Sequence, residues 1–311
     1  MNSLSWYHRP KLRQPVLVSA FEGWNDAGDA ASTVARWLAD RYGATIAAVI
    51  DPEEFFDFTS TRPIIEREAT MQTVIWPETE LWACSTDGPR DLVVMVGHEP
   101  HLRWRTFTKI VIEAAEALEC SMAITLGALL TDVPHTRPTV ITATSHDNEL
   151  IEKHGLIRPT YQGPTGIVGV LYSALEEAEM PTASLWASVP AYVSGASSPR
   201  AALALLERTC SILGISQPAP DLEKAAQEYD RQINELMESD EDTASYVAML
   251  EAALDENEED EHPSHPALGN QSGPADSINH PEPPPEGLDN SSLDDDPDAL
   301  VDEVERFLRG D

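Results

Sequence analysis

The sequence predicts an α/β fold: a three-layer α/β/α sandwich around a mostly parallel sheet, continued by a C-terminal helical hairpin and a disordered acidic tail. Three observations predict it. Short β-branched apolar runs alternate with segments of helical period between Val16 and Val189, the pattern of strands buried on both faces and joined by helical crossovers. Glycine-bearing turns open two of those helices, at Gly23 to Gly28 and at Gly163 to Gly169. Acidic residues and proline then collect after residue 254. The expected organisation is a sandwich domain over 1–215, a helical hairpin over 216–254, and a tail over 255–311 with a short terminal helix near 298–309.

The chain has 311 residues and a formal net charge of −34. Residues 255–311 hold 18 acidic and 2 basic residues, a net of −16. With its proline clusters and few aromatics, that segment buries too little apolar surface to offset its ordering entropy. The remainder is acidic as well, which argues against nucleic acid and anionic membrane as partners, since both select a basic footprint. Cys84, Cys120 and Cys210 are widely spaced in or beside apolar runs, as reduced core thiols are, and give neither a disulfide framework nor a four-ligand zinc site. No apolar run approaches the ~20 residues of a membrane span. The expected location is the cytoplasm, with no cofactor and no bound metal.

The apolar run Val16, Leu17 and Val18 reads as a buried strand with Glu22 directly after it, and Asn25 or Asp26 can cap the helix behind, where Ala27, Ala30, Val34, Trp37 and Leu38 recur at helical spacing. Ala44 to Ile50 is a second strand. The loop after it holds Phe55, Phe56 and Phe58, either a core plug or an exposed anchor for another protein. Ile64 to Ala69, Gln72 to Trp76 and Trp82 to Ser85 are shorter strands, arranged as a hairpin or meander. Asp91 to Val96 is a central strand followed by a helix over Arg103 to Leu118. Met122 to Leu126 and Thr139 to Ala143 are strands, Asn148 to Lys153 and Ile167 to Ala178 helices, and Ser184 to Val189 a strand that closes the sheet. Helices over Pro199 to Leu213, Asp221 to Glu238 and Asp242 to Leu254 follow, with Leu222, Tyr229, Ile233 and Leu236 in an apolar stripe that docks on the domain or on a neighbouring copy.

Polar loops past the strand ends meet at one rim of such a sheet, where open α/β sheets carry ligands. The candidate rim residues are Glu22, Gly23, Trp24, Asn25, Asp26, Gly28, His98, Glu99, Thr165 and Gly166. Glu22 is expected to pair with Arg103 or Arg105, because carboxylates near a core are neutralised, and Thr165 is expected to cap the helix beginning at Ile167. A hydrolase or phosphorylase assembled there would use His98 or His146 as base, with Asp26, Glu99 or Asp147 orienting it. His98, Glu99 and His101 offer divalent-cation ligands in type only. No G-x-S-x-G elbow, H-E-x-x-H pair or phosphate-loop lysine is present.

FEGWNDAGDAAS at Phe21 to Ser32 and GPTGIVGVL at Gly163 to Leu171, with GHEP at Gly97 to Pro100 between them, resemble the proteasome assembly chaperone 2 family over roughly Pro15 to Leu213. The resemblance implies a sandwich related in layout to purine nucleoside phosphorylases and similar hydrolases. It also implies a scaffold rather than a catalyst, self-association into a small ring, commonly a homotrimer, and proteasome subunits among the partners. Members that dock on the proteasome end plate use a C-terminal hydrophobic-Tyr-any tripeptide; Leu308 to Asp311 has no tyrosine. The segment Leu300, Val301, Val304, Phe307 and Leu308 has a period suited to a helix laid on a partner.

Overall fold

A computed structural model describes residues 3–68, 71–215, 218–239 and 241–260. The strands are β1 (Leu4–Trp6), β2 (Val16–Glu22), β3 (Thr45–Ile50), β4 (Ile64–Glu68), β5 (Met71–Ile75), β6 (Thr79–Cys84), β7 (Leu92–His98), β8 (Met122–Thr131), β9 (Ile141–Thr144) and β10 (Thr182–Pro190). The helices are α1 (Ala30–Arg41), α2 (Trp104–Ala117), α3 (Asn148–His154), α4 (Ile167–Glu177), α5 (Pro199–Leu213), α6 (Pro220–Ser239) and α7 (Glu241–Asp260). Of the expected tail, residues 255–260 continue α7 as helix, while 261–311, with the expected terminal helix, lie outside the described residues.

Eight strands form one sheet in the order β1-β3-β6-β7-β2-β8-β10-β9. The centre, β7-β2-β8-β10, is parallel throughout, whereas β6 is antiparallel to β7, β3 to β6, β1 to β3 and β9 to β10. The sheet is therefore mixed rather than mostly parallel in its pairings. The cause is local: the connection from β6 to β7 is a short turn with no helix, and such a link joins antiparallel strands. Thr182–Pro190 does not close the sheet, because β9 flanks it on the outside. β1, three residues long, was below the length at which alternation can be read.

Alternation along the central strands sorts the core into two layers. Val16, Val18 and Ala20 of β2 face α1 and α5, with Val34, Leu38, Leu205 and Leu206. Leu17 and Phe21 face α2 and α4, with Phe107, Val111, Leu171 and Leu175. Sheet and flanking helices thus make the three-layer α/β/α sandwich. Phe55 and Phe56 are buried in the second layer, Phe55 packing edge-on to Phe107 at 5.3 Å between ring centroids, so they plug the core instead of presenting an exposed anchor. Phe58 is half-buried against Trp76 at 4.9 Å.

Leu222, Tyr229 and Ile233 of α6 are buried within this chain, with Leu222 in the layer beneath α5; the apolar stripe is spent on the domain itself. Leu236 stays exposed. Helix α7 is fastened by Arg137, which meets Asp255 at 2.7 Å and Glu251 at 3.3 Å, and by Tyr246, which donates to Asp132 at 2.9 Å. β4 and β5 stand apart as a two-stranded hairpin between β3 and β6.

Candidate functional site

β2 and β7 lie side by side with Glu22 opposite His98, so the loops after both strands emerge together. His98 Nδ1 is 2.8 Å from Glu22 Oε2, and Arg36 of α1 holds the other carboxylate oxygen. The hydrogen bond from His98, reinforced by the Arg36 charge, brings the Glu22 carboxyl down to about 2. The pairing expected with Arg103 or Arg105 does not form. α1 starts immediately behind β2 and puts Arg36 nearer, while Arg103 meets Glu54 at 2.8 Å.

Asn25 is fully buried, and its backbone carbonyl accepts from Ala128 N of β8 at 2.8 Å. Its Nδ2 donates to Glu99 Oε1 at 2.8 Å, and the same oxygen accepts from Ile167 N at 2.8 Å. One carboxylate oxygen thereby joins the loop after β2, the loop after β7 and the first turn of α4. Thr165 does not cap that helix: Gly166 occupies the N-cap position without a side-chain bond, and Glu99 supplies the acceptor from a distance. Gly166 is there for space, since a Cβ on it would lie 2.4 Å from Asn25 Oδ1.

Asp26 is buried and caps α1 from three residues before its N-cap, accepting from Ala31 N at 2.6 Å and Ser32 N at 3.3 Å. Burial pushes its carboxyl above the ordinary range, against those bonds. Gly28 adopts φ +60° and receives Ser198 N on its carbonyl at 2.7 Å, a left-handed conformation and close approach that favour glycine. Gly23, at φ +112°, turns the chain out of β2. Trp24 projects from that turn and is 51% exposed.

The cation trio is pulled apart. His98 turns to Glu22, Glu99 to Asn25, and His101 Nδ1 accepts from Asp57 N at 3.2 Å. Among the described residues no group of three His, Cys, Asp or Glu side chains is placed to hold a metal ion. His146 lies 3.5 Å from Glu176 and Asp147 caps α3 through Leu150 N at 2.8 Å, so neither joins the rim carboxylates. The hydrolase or phosphorylase reading gains no support from an arrangement in which each carboxylate is engaged in holding loops and helices.

One polar cluster was not foreseen. His135, buried in the loop after β8, sits with its Nδ1 2.7 Å from Tyr192 Oη and its Nε2 3.1 Å from Asn234 Oδ1 of α6. A lone loop histidine gives no sequence signal for a partner ninety-nine residues away. Many of the exposed large apolar side chains follow the strand ends of this rim, namely Trp24 after β2, Leu102 after β7, Leu130 near the end of β8, Val140 before β9, Tyr161 before α4, and the β4–β5 hairpin after β3, whereas Tyr7, Leu236 and Met249 lie after β1, in α6 and in α7. Among the described residues no helix is long and apolar enough to cross a membrane.

The PAC2 family model matches residues 20–237. A crystal structure of a PAC2 family protein from Streptomyces avermitilis is 37% identical, covers 75% of this chain and 99% of its own, and superposes with a TM-score of 0.70. A Mycobacterium tuberculosis proteasome-assembly chaperone homologue is 38% identical over 75% of this chain and 99% of its own, with a TM-score of 0.69. A Pyrococcus furiosus archaeal proteasome activator shares the fold at 17% identity, TM-score 0.61, over 75% of this chain and 97% of its own. No curated protein matches the chain.

Proposed function

The chain belongs to the PAC2 family, and on that premise we propose that it is a non-enzymatic scaffold with a proteasome-chaperone-like role, holding proteasome α-subunits or a related protein at the carboxyl rim of its sheet. The observation that carries this reading is the division of labour at the rim. Its carboxylates are engaged internally, Glu22 with Arg36 and His98, Glu99 with Asn25 and Ile167, and Asp26 with α1, while Trp24, Leu102 and Tyr161 remain exposed. Apolar side chains gathered on one edge of an otherwise charged protein mark a surface for another protein. The similarity to a proteasome-assembly chaperone homologue supports the same direction. Self-association into a small ring, with three copies as the family resemblance implies, belongs to this proposal, as does a cytoplasmic setting.

The test is affinity capture from the native cell extract, with full-length chain and a Trp24→Glu/Leu102→Glu double variant as baits. The expected result is recovery of proteasome α-subunits by the wild type and at least a tenfold smaller recovery by the variant. Equal recovery by both baits, or no α-subunits with either, overturns the reading.

A further inference from the structure

The junction between α6 and α7 is unusually short. His135 meets Asn234 of α6 at 3.1 Å, and its neighbour Thr136 donates to Glu251 of α7. Those two partners are seventeen residues apart, a span of about 25 Å in a continuous helix, so the chain doubles back between them. α6 ends at Ser239 and α7 begins at Glu241, which leaves one residue for the reversal, where paired helices are ordinarily joined by a loop of roughly two to five. No glycine or proline stands from Asp221 to Asp260, so the junction has neither the left-handed glycine nor the breaker that ordinarily stops a helix.

The hold on α7 is thin and polar. Val247 and Leu250 are its only buried side chains among those described, whereas α6 buries Leu222, Ala226, Tyr229 and Ile233. α7 is otherwise seated on the loop after β8, by Tyr246 on Asp132 at 2.9 Å and by Asp255 and Glu251 on Arg137 at 2.7 and 3.3 Å. Such exposed pairs contribute little each. Asp132 and Arg137 lie more than a hundred residues before α7 in the chain, so the seat selects α7 by its side chains and not by which copy supplies it.

We propose that two copies of this chain exchange α7. The junction between Ser239 and Glu241 straightens, α6 runs on into α7 as one helix from Pro220 to Asp260, and each α7 fills the seat on the other copy. The exchange keeps the seat contacts and replaces a one-residue reversal by unbroken helix, which satisfies main-chain groups that two helix ends leave unmade. Short connections are what invite such swaps. The charges that meet are opposite, Arg137 with Glu251 and Asp255, so the contact does not depend on two acidic surfaces being pressed together. A two-fold axis closes it, so it doubles whatever assembly the rest of the chain forms. It goes beyond the rim reading and needs no partner there.

Sedimentation velocity on full chains carries the test. Arg137→Glu sets a carboxylate against Glu251 and Asp255 of its own chain, and a Glu251→Arg/Asp255→Arg variant sets two guanidinium groups against its own Arg137. Neither chain can seat its own α7, but an exchanged pair with one chain of each kind has opposite charges at both seats. Each variant alone should sediment at half the wild-type mass, and their equimolar mixture should return to it, with at least tenfold more doubled species than either variant alone. In a second arm, Gly-Ser-Gly-Ser inserted after Ser239 gives the reversal room and should cut the doubled species at least tenfold. A mixture that stays at the mass of its separate components, an insertion that leaves the mass unchanged, or a wild type no heavier than either variant overturns the proposal.

Discussion

The amide of Asn25 donates to the carboxylate of Glu99 at 2.8 Å across the ends of two neighbouring strands, and the shared oxygen also receives the first amide of α4. A carboxylate only accepts, so the Asn25 nitrogen must face Glu99. Glu99→Ala strips both donors of their acceptor and should lower stability by about 2 kcal/mol. Glu99→Gln keeps a carbonyl oxygen in place and should cost less than half as much. Urea denaturation of the two variants checks the order; equal losses would contradict the shared-acceptor account.

Gly166→Ala tests the packing of α4 on the rim. Backbone angles at Gly166, φ −88° and ψ −173°, suit alanine, so what opposes the change is the approach of its Cβ to the Asn25 amide, 2.4 Å from Oδ1 and 2.5 Å from Nδ2. The expected loss is about 2 kcal/mol, and Asn25→Ala in the same chain should recover part of it by opening that space. A double-mutant cycle reads the coupling.

Asp26 sits in a conflict between burial and capping. Asp26→Ala should destabilise by ~1–2 kcal/mol through loss of the acceptor for Ala31 N and Ser32 N. Asp26→Asn retains an acceptor while removing a charge that burial disfavours, so it should be milder, with its disadvantage shrinking as pH rises beyond the ordinary carboxylate range, because the raised folded-state value makes the wild type lose stability as its carboxyl ionises. Thermal unfolding from pH 4 to 7 compares the three proteins.

Glu22 sets an acid limit. Its carboxyl falls from 4.5 to about 2 in the folded protein, so its stabilising contribution is fully present above the unfolded value near 4.5 and disappears as pH drops toward 2. Solvent at this partly exposed pair reduces the effect to on the order of 1–2 kcal/mol. In Glu22→Gln the slope of stability against pH between about 4.5 and 2 should flatten, while stability at pH 7 falls. Melting temperatures across that interval decide it; an unchanged slope would mean Glu22 is not held by His98 and Arg36.

The sandwich was legible because its signals are local. Val16, Leu17 and Val18 have a strand's composition whatever surrounds them, and α2, α4 and α5 repeat apolar residues at helical spacing, so the elements fall within a few residues of where the sequence puts them. Pairing direction was less legible, since the turn between β6 and β7 decides it and not the strands. At the rim, the sequence brought forward Asn25, Asp26, His98 and Glu99 as candidates but not their partners: Arg36 instead of Arg103 for Glu22, and Ile167 N instead of a Thr165 cap, both depend on which helix packs where. Burial of Phe55 and Phe56 was likewise a three-dimensional outcome, Phe55 meeting the ring of Phe107 fifty-two residues on and Phe56 that of His101. His135 and Asn234 meet only because α6 folds back along α5.

The fastening of α7 has its own consequence. Arg137 grips Asp255 just beyond the carboxyl end of β8, and the chain's most acidic stretch starts at that residue. α7 is thus pinned to that loop at two places, Tyr246 on Asp132 and Asp255 on Arg137. Because that grip is made of solvent-exposed ion pairs, added salt weakens it and loosens α7 from the loop after β8.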